Sequence, residues 1–249
     1  MDILAVVVVT LAGVAAGIVN TAIGSGSLIT YPALLLAGLP PVVANITNTI
    51  GVAPGAVAGA WAYRRELKDC GPELVRLVPA SVVGAIAGAA LVRVLPGEAF
   101  SLVVPILVLA AAVLVGVQPI LLKRRGRGPR TTLWWALSLS VFGAGVYGGY
   151  FSAAQGVILL GVLGIFLRSD LQTQNALKNA LAACVNVVAA IFFLVSGGFD
   201  LPAAACVAIG SLCGAPLGAY LARRLPVRAF RIAIVAFGVV VAIILVLTR

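Results

Sequence analysis

Apolar residues gather in long blocks that are cut by charges, prolines and glycines. Ten can be drawn, at about 3–23, 28–38, 42–63, 74–95, 99–122, 132–152, 156–167, 175–195, 201–222 and 228–248. Helices rise 1.5 Å per residue, so eight of these blocks can cross a hydrocarbon core of roughly 30 Å. Blocks 28–38 and 156–167 reach only ~16–18 Å. The pattern predicts an all-α polytopic transmembrane protein with short helices among its spans.

The short blocks hold equivalent places in a repeat. At an offset of 130, "SVVGAIAGAALVRVLPGEAF" (81–100) lies on "SLCGAPLGAYLARRLPVRAF" (211–230), with Ser81, Gly84, Gly88, Arg93, Pro96 and Phe100 among the identities. Asn45 meets Asn175 in the same register. The chain therefore divides into a first transmembrane repeat (1–122), a basic linker (123–131, containing "KRRGRGPR") and a second repeat (132–249). Each repeat has five apolar segments, four full spans and one short helix.

Loop charge sets the relation between the halves. Arg64, Arg65 and Lys68 make one link basic, while its repeat counterpart "SGGFD" is acidic. The link with Arg93 and Glu98 is neutral, while its counterpart carries Arg223, Arg224, Arg228 and Arg231. Counting every segment as a crossing places loops 64–68, 123–130 and 223–231 together in the cytoplasm. Five segments per half then give inverted repeats, as in many secondary transporters. Treating the short segments as re-entrant gives parallel halves and strands one basic loop on the wrong side.

Composition narrows the chemistry. The chain is 62% hydrophobic and 10% charged, with a mean hydropathy of +1.18, whereas soluble domains carry roughly 25% charged residues. Its net charge of +10 sits in short links rather than in aromatic-basic stripes, so no nucleic-acid partner is expected. The N-terminus lacks the basic region of a signal peptide and reads as a retained span. There is no histidine and no CxxC pair, which argues against a zinc site, a Ser-His pair or any metal or cofactor. Cys206 and Cys213 share a helix face and read as small buried apolar residues. All seven carboxylates fall at segment ends or in links, so neither an enzyme nor a proton relay through a buried acid is expected.

What remains is polar, neutral and cationic. Asn20, Gly24, Ser25, Gly26 and Ser27 precede one short helix, and Gln155 and Gly156 precede its mate. Helix N-termini present free N–H groups and partial positive charge, which suit an anion. Asn45, Asn48 and Thr49 share a helix face by i, i+3, i+4 spacing, as do Asn175, Lys178 and Asn179, with Asn186 extending the second face. Inverted repeats would gather these polar starts near the midplane, with Lys178 as the fixed charge. Structural readings stand beside this one. Asn and Thr can bond across helices, Lys178, Arg76 and Arg93 can snorkel from helix ends, and Pro32 and Pro54 can kink helices. The pairs Gly13/Gly17, Gly55/Gly59, Gly84/Gly88 and Gly214/Gly218 are assigned to helix packing.

These residues resemble the TauE/SafE-type sulfite exporter family over essentially the whole chain. The resemblance rests on "VNTAIGSGSLITYPALLLAGLPPVVANITNT" followed by "YRREL", and on "QTQNALKNALAACVNVVAAIFF" with "GSLCGAPLGAYLARRLP". The family's glycine run is diluted here to Gly24-Ser25-Gly26-Ser27, its second copy is reduced to Gln155-Gly156, and Gly161 stands where a proline is expected. The resemblance implies movement of a small sulfur-containing or organic anion across the bacterial plasma (inner) membrane. The expected function is transport of a sulfur oxyanion or organosulfonate by alternating access. A passive anion channel and a non-transporting assembly subunit are the alternatives. Expected partners are the anion, the bilayer and, left open, a second copy in a homo-oligomer.

Overall fold

The helices begin and end where local chemistry requires. Asp2 caps α1 (Ile3–Ala22) by accepting the Ala5 N–H at 2.7 Å. Pro41 opens α3 (Pro41–Ala62), where its missing N–H costs nothing. Asp170 caps α8 (Leu171–Ser196) by accepting from Gln172 and Thr173 N–H. The remaining helices are α2 (Ser27–Leu36), α4 (Gly71–Val94), α5 (Gly97–Lys123), α6 (Trp134–Tyr150), α7 (Gln155–Phe166) and α9 (Leu201–Arg224), with a 3-10 turn at Glu66–Cys70. This computed structural model describes residues 2–95, 97–123 and 133–224. The predicted segment 228–248, nearly all of the linker, and Arg228 and Arg231 lie outside the described residues.

The all-α prediction holds: the described residues form helices and no strand. Among them α1, α3, α4, α8 and α9 are long and apolar enough to cross a membrane. The short helices are real, with 10 residues in α2 and 12 in α7. α6 is shorter than block 132–152 suggested, at 17 residues.

Glycines set the packing, because small residues let membrane helices approach backbone to backbone. A Cβ on Gly17 would lie 2.3 Å from the Ser211 carbonyl oxygen, and one on Gly214 would lie 2.1 Å from that of Val14. α1 and α9 thus run side by side in the same chain direction. α4 and α6 do likewise: a Cβ on Gly88 would lie 2.1 Å from the Val146 oxygen, and one on Gly149 would lie 2.4 Å from that of Ala85. α3 also runs with α9, where Gly51 meets Val207 and Gly55 meets Ser211. All four expected GxxxG pairs lie at helix contacts, Gly59 against Thr21.

The cysteine expectation needs correcting. Cys213 is exposed and Cys206 half-buried, while Cys70 is the buried one. Cys213 shares the outward face of α9 with Leu212 and Leu217, both half-exposed, a surface suited to lipid.

One end of the bundle collects cations over aromatic rings. Arg64 stacks on Trp61 at 4.0 Å, Arg76 on Trp134 at 4.4 Å, Arg223 on Tyr63 at 4.7 Å and Arg224 on Tyr220 at 4.4 Å. The opposite end holds Arg93, whose guanidinium bonds Ser196 and the Gly197 carbonyl at the end of α8.

Candidate functional site

α1 stops at Ala22, and the chain turns back through Gly24 (φ +94°) to start α2 at Ser27. α6 stops at Tyr150, and the chain turns through Ser152 (φ +54°) and Ala154 (φ +59°) to start α7 at Gln155. The two turns touch. Gly156 N–H donates to the Gly24 carbonyl at 3.0 Å, and a Cβ on Gly24 would lie 2.4 Å from the Gly156 Cα. Only glycine fits at either place, on steric grounds and, at Gly24, on dihedral grounds. Gly26 packs inward instead: its Cβ would lie 2.3 Å from the Ala16 carbonyl oxygen of α1. The glycines thus make the crossing itself.

Polar side chains form two layers around this crossing. In the first, Asn48 donates to the Ser27 hydroxyl at 3.0 Å and accepts from Thr30, while Ser27 and Ser152 share a hydrogen bond at 2.9 Å. Asn45 donates to the Tyr150 carbonyl at 2.9 Å, satisfying the end of α6. Thr49 bonds back to the Asn45 carbonyl at 3.0 Å.

In the second layer Lys178 is fully buried. Its ammonium donates to the Thr21 carbonyl at 3.0 Å and to the Asn20 carbonyl at 3.5 Å. Asn179 donates to the same Thr21 oxygen at 3.2 Å. The end of α1 leaves carbonyls without helical partners and carries partial negative charge, so it holds the buried cation.

The structure does not bring Asn45 and Asn175 together. Thr47 accepts the Asp200 N–H just beyond the end of α8, whereas Asn175 lies in the second turn of α8. Most of the length of α8 therefore separates Asn45 from Asn175. The physical reason lies in the caps. Pro41 and Asp170 start α3 and α8 about one turn before Asn45 and Asn175, so only α2 and α7 begin at the crossing. Asp170 is itself held below the ordinary carboxylate range, first by the Thr173 hydroxyl bond and then by the cap N–H groups.

Several buried polar atoms at the site have no partner in the protein. They are the Ser25 hydroxyl, both ends of the Gln155 amide, and the side-chain oxygens of Asn45, Asn175 and Asn186. Ser25 and Gln155 are repeat-equivalent at the offset of 130, and they are 0% and 2% exposed. Leaving such a group unpaired costs about 1–3 kcal/mol, which marks a place for water or ligand. Sequence reasoning missed Thr30, Ser152 and the buried hydroxyls of Tyr31 and Tyr147. Thr30 had a signal, since it follows Ser27 by i+3. Ser152 had none beyond being polar in an apolar run.

Comparison with known proteins identifies the family. The family profile described as sulfite exporter TauE/SafE matches residues 9–245. The chain belongs to the TauE/SafE family. Curated relatives carry transporter names. The probable membrane transporter protein YfcA of Escherichia coli K12 is 24% identical over 210 residues, covering 83% of this chain and 76% of its own. A probable membrane transporter protein of Haemophilus influenzae is 27% identical over 211 residues, covering 83% and 81%. Over 104 residues, 42% of this chain and 40% of the relative, the probable membrane transporter protein ORF9 of Sinorhizobium sp is 32% identical. This TauE/SafE protein is a multi-pass member of a membrane transporter family.

Proposed function

We propose that this TauE/SafE protein carries a small sulfur oxyanion or organosulfonate across the bacterial inner membrane by alternating access. The observation that carries the reading is the pair of buried, unpartnered, repeat-equivalent groups at the crossing, the Ser25 hydroxyl and the Gln155 amide. Both can donate to an acceptor-rich ligand, and both sit at the N-terminal ends of short helices, where partial positive charge favours an anion. Lys178 adds the compensating charge. An ammonium has three donors, and the Thr21 and Asn20 carbonyls take two of them. A cation is disfavoured, because Asp2, Glu66, Glu73, Asp170 and Asp200 all stand at helix ends or in links. The names of the family and of its relatives supply the transport class.

The same reading makes 1–122 and 132–249 inverted repeats. Its support is the direction of the helices: α1, α3 and α9 run one way, whereas α4 runs back from α3 and α6 runs with α4. α2 and α7 then act as half-length return segments. The end bearing Arg64, Arg65, Lys68 and Arg223 faces the cytoplasm in this reading. Reporter fusions after Lys68 and after its repeat equivalent Gly198 are expected to report opposite sides, Lys68 cytoplasmic. Both on one side would overturn the inversion.

Transport is tested with purified protein in liposomes, offered sulfite, sulfoacetate, other sulfonates, small carboxylates and chloride. Saturable uptake with counterflow and mutual inhibition among the sulfur oxyanions is the expected result. Unsaturable flux without counterflow would make the protein a channel. Alkali-cation flux with indifference to millimolar oxyanions would overturn the substrate assignment.

A further inference from the structure

Two arginines sit at the ends of equivalent helices. Arg93 is in the last turn of α4 and Arg223 in the last turn of α9, exactly one repeat offset of 130 apart. Each reaches into the other half of the chain. Arg223 donates to the Ala62 carbonyl, the last residue of α3, at 3.0 Å, and to the Glu66 carboxylate at 2.7 and 3.1 Å. Arg93 donates to the Gly197 carbonyl, the C-cap of α8, and to the Ser196 hydroxyl at 2.9 and 3.1 Å. α3 and α8 are repeat-equivalent, and so are Glu66 and Ser196. The side-chain contact therefore occurs twice, at opposite ends of the bundle, each time joining one half to the other, whereas the carbonyl acceptors Ala62 and Gly197 are not repeat-equivalent.

The two contacts also differ in the chemistry of the side-chain acceptor. At one end it is a carboxylate, with Tyr63 stacked beneath the guanidinium at 4.7 Å. At the other it is a neutral hydroxyl. Burial alone would raise the Glu66 carboxyl, but the Arg223 hydrogen bonds and charge outweigh it and hold the group below its ordinary range. The Arg223 clamp therefore stays charged at neutral and mildly acid pH. In both clamps the guanidinium also meets the negative end of a helix dipole. The guanidinium–carboxylate pair is the stronger of the two.

We propose that Arg93 and Arg223 are matched end clamps whose unequal strength sets which end of the transporter rests shut, with the Arg223–Glu66 end the tighter. The proposal rests on the alternating-access reading, in which the two ends open by turns. Glu66 and Ser196 are then positioning residues that act through the arginines on the conformational balance and do not touch the substrate. A partly exposed Arg–Glu pair shifts the ratio of the two states about five-fold.

The test uses spin labels in a background with the native cysteines replaced, reconstituted in liposomes. One pair, at Arg65 and Arg224, spans the Arg223 clamp, and the repeat-equivalent pair, at Val195 and Val94, spans the other. Glu66→Ser is expected to lengthen the distances of the first pair and shorten those of the second, moving the population ratio about five-fold. Ser196→Glu is expected to move both in the opposite sense. Glu66→Asp should restore the starting distributions. If neither substitution moves either pair, the clamps are static staples and the proposal falls. It also falls if each substitution alters only its own end. Sulfite counterflow in the same vesicles separates the two claims, since it reports on transport whichever way the labels behave.

Discussion

α1 and α6 meet the same difficulty in the two halves of this molecule, and it is resolved differently in each. Both helices end inside the bundle and leave main-chain carbonyls that water cannot reach. At the end of α6 one amide answers, Asn45 donating to Tyr150. At the end of α1, Lys178 and Asn179 answer together at Thr21 and Asn20. The positions correspond throughout: Asn20 with Tyr150, Asn45 with Asn175, Asn48 with Lys178, Thr49 with Asn179. In the first half the slot of Lys178 is filled by Asn48, which turns to Ser27 and Thr30 of its own short helix. One layer is neutral, with the Asn45 side-chain oxygen left unpaired. The other holds the buried Lys178 amine against a helix C-terminus. The difference teaches that a duplicated backbone can keep its geometry while one copy carries a lysine where the other carries an amide.

The largest effect is expected where both halves depend on one contact. A side chain at Gly24 would be driven into the Gly156 backbone, at 2.4 Å from its Cα, from a residue whose φ of +94° resists any Cβ. Gly24→Val should therefore remove folded, monodisperse protein altogether, as judged by yield and size-exclusion profile. Gly156→Val should do the same. Gly26→Val should also fail, by collision with α1 rather than by blocking a ligand. Wild-type yields for Gly24→Val would show that the crossing is not close-packed.

Removing the charge attacks the second layer alone. Lys178→Met keeps the apolar stem and deletes the donors, leaving the Thr21 carbonyl to Asn179. Oxyanion flux should fall by two orders of magnitude or more, corresponding to roughly 3 kcal/mol of lost binding. Thermal stability should fall by an amount typical of an unsatisfied buried group, about 1–3 kcal/mol. Lys178→Arg should rescue poorly, because a planar guanidinium does not replace a compact ammonium. Full flux in Lys178→Met would reduce this residue to a helix cap, and the two layers would then be functionally alike.

A milder change targets the neutral layer. Asn48→Ala breaks the bonds to Ser27 and Thr30 and should cost about 1–3 kcal/mol of stability. Flux should persist at reduced rate, since no charge is lost. A loss as severe as that of Lys178→Met would mean that the ligand sits in the first layer.

Much of this arrangement was legible along the chain. Hydrophobic blocks gave the spans, the offset of 130 paired the halves, and i, i+3, i+4 spacing put Asn45, Asn48 and Thr49 on one face. What stayed hidden was which element answers which. Lys178 and Thr21 lie 157 residues apart, and nothing local says that a cation in one half satisfies a carbonyl in the other. The inward packing of Gly26 was hidden for the same reason, since a ligand cradle and a helix contact both ask for glycine. The distance between Asn45 and Asn175 was hidden too, because it depends on where Pro41 starts α3 and the Asp170 cap starts α8.

The smallest effect follows from that cap. Asp170 holds the first turn of α8 through the Gln172 and Thr173 N–H groups at 2.8 and 3.1 Å, and it lies two turns ahead of Lys178. Asp170→Ala removes the cap and should cost about 1 kcal/mol. If the second layer depends on a firm start to α8, the apparent affinity for sulfite should weaken several-fold with little change in maximal rate. The carboxyl is lowered in the folded protein, so its stabilisation is complete above the ordinary carboxylate pKa and is lost as pH falls through the folded value. The melting difference between Asp170→Ala and the native protein should accordingly be constant from pH 6 to 8 and shrink in strongly acid buffer. A difference that instead grew on acidification would assign the cap no ionised role.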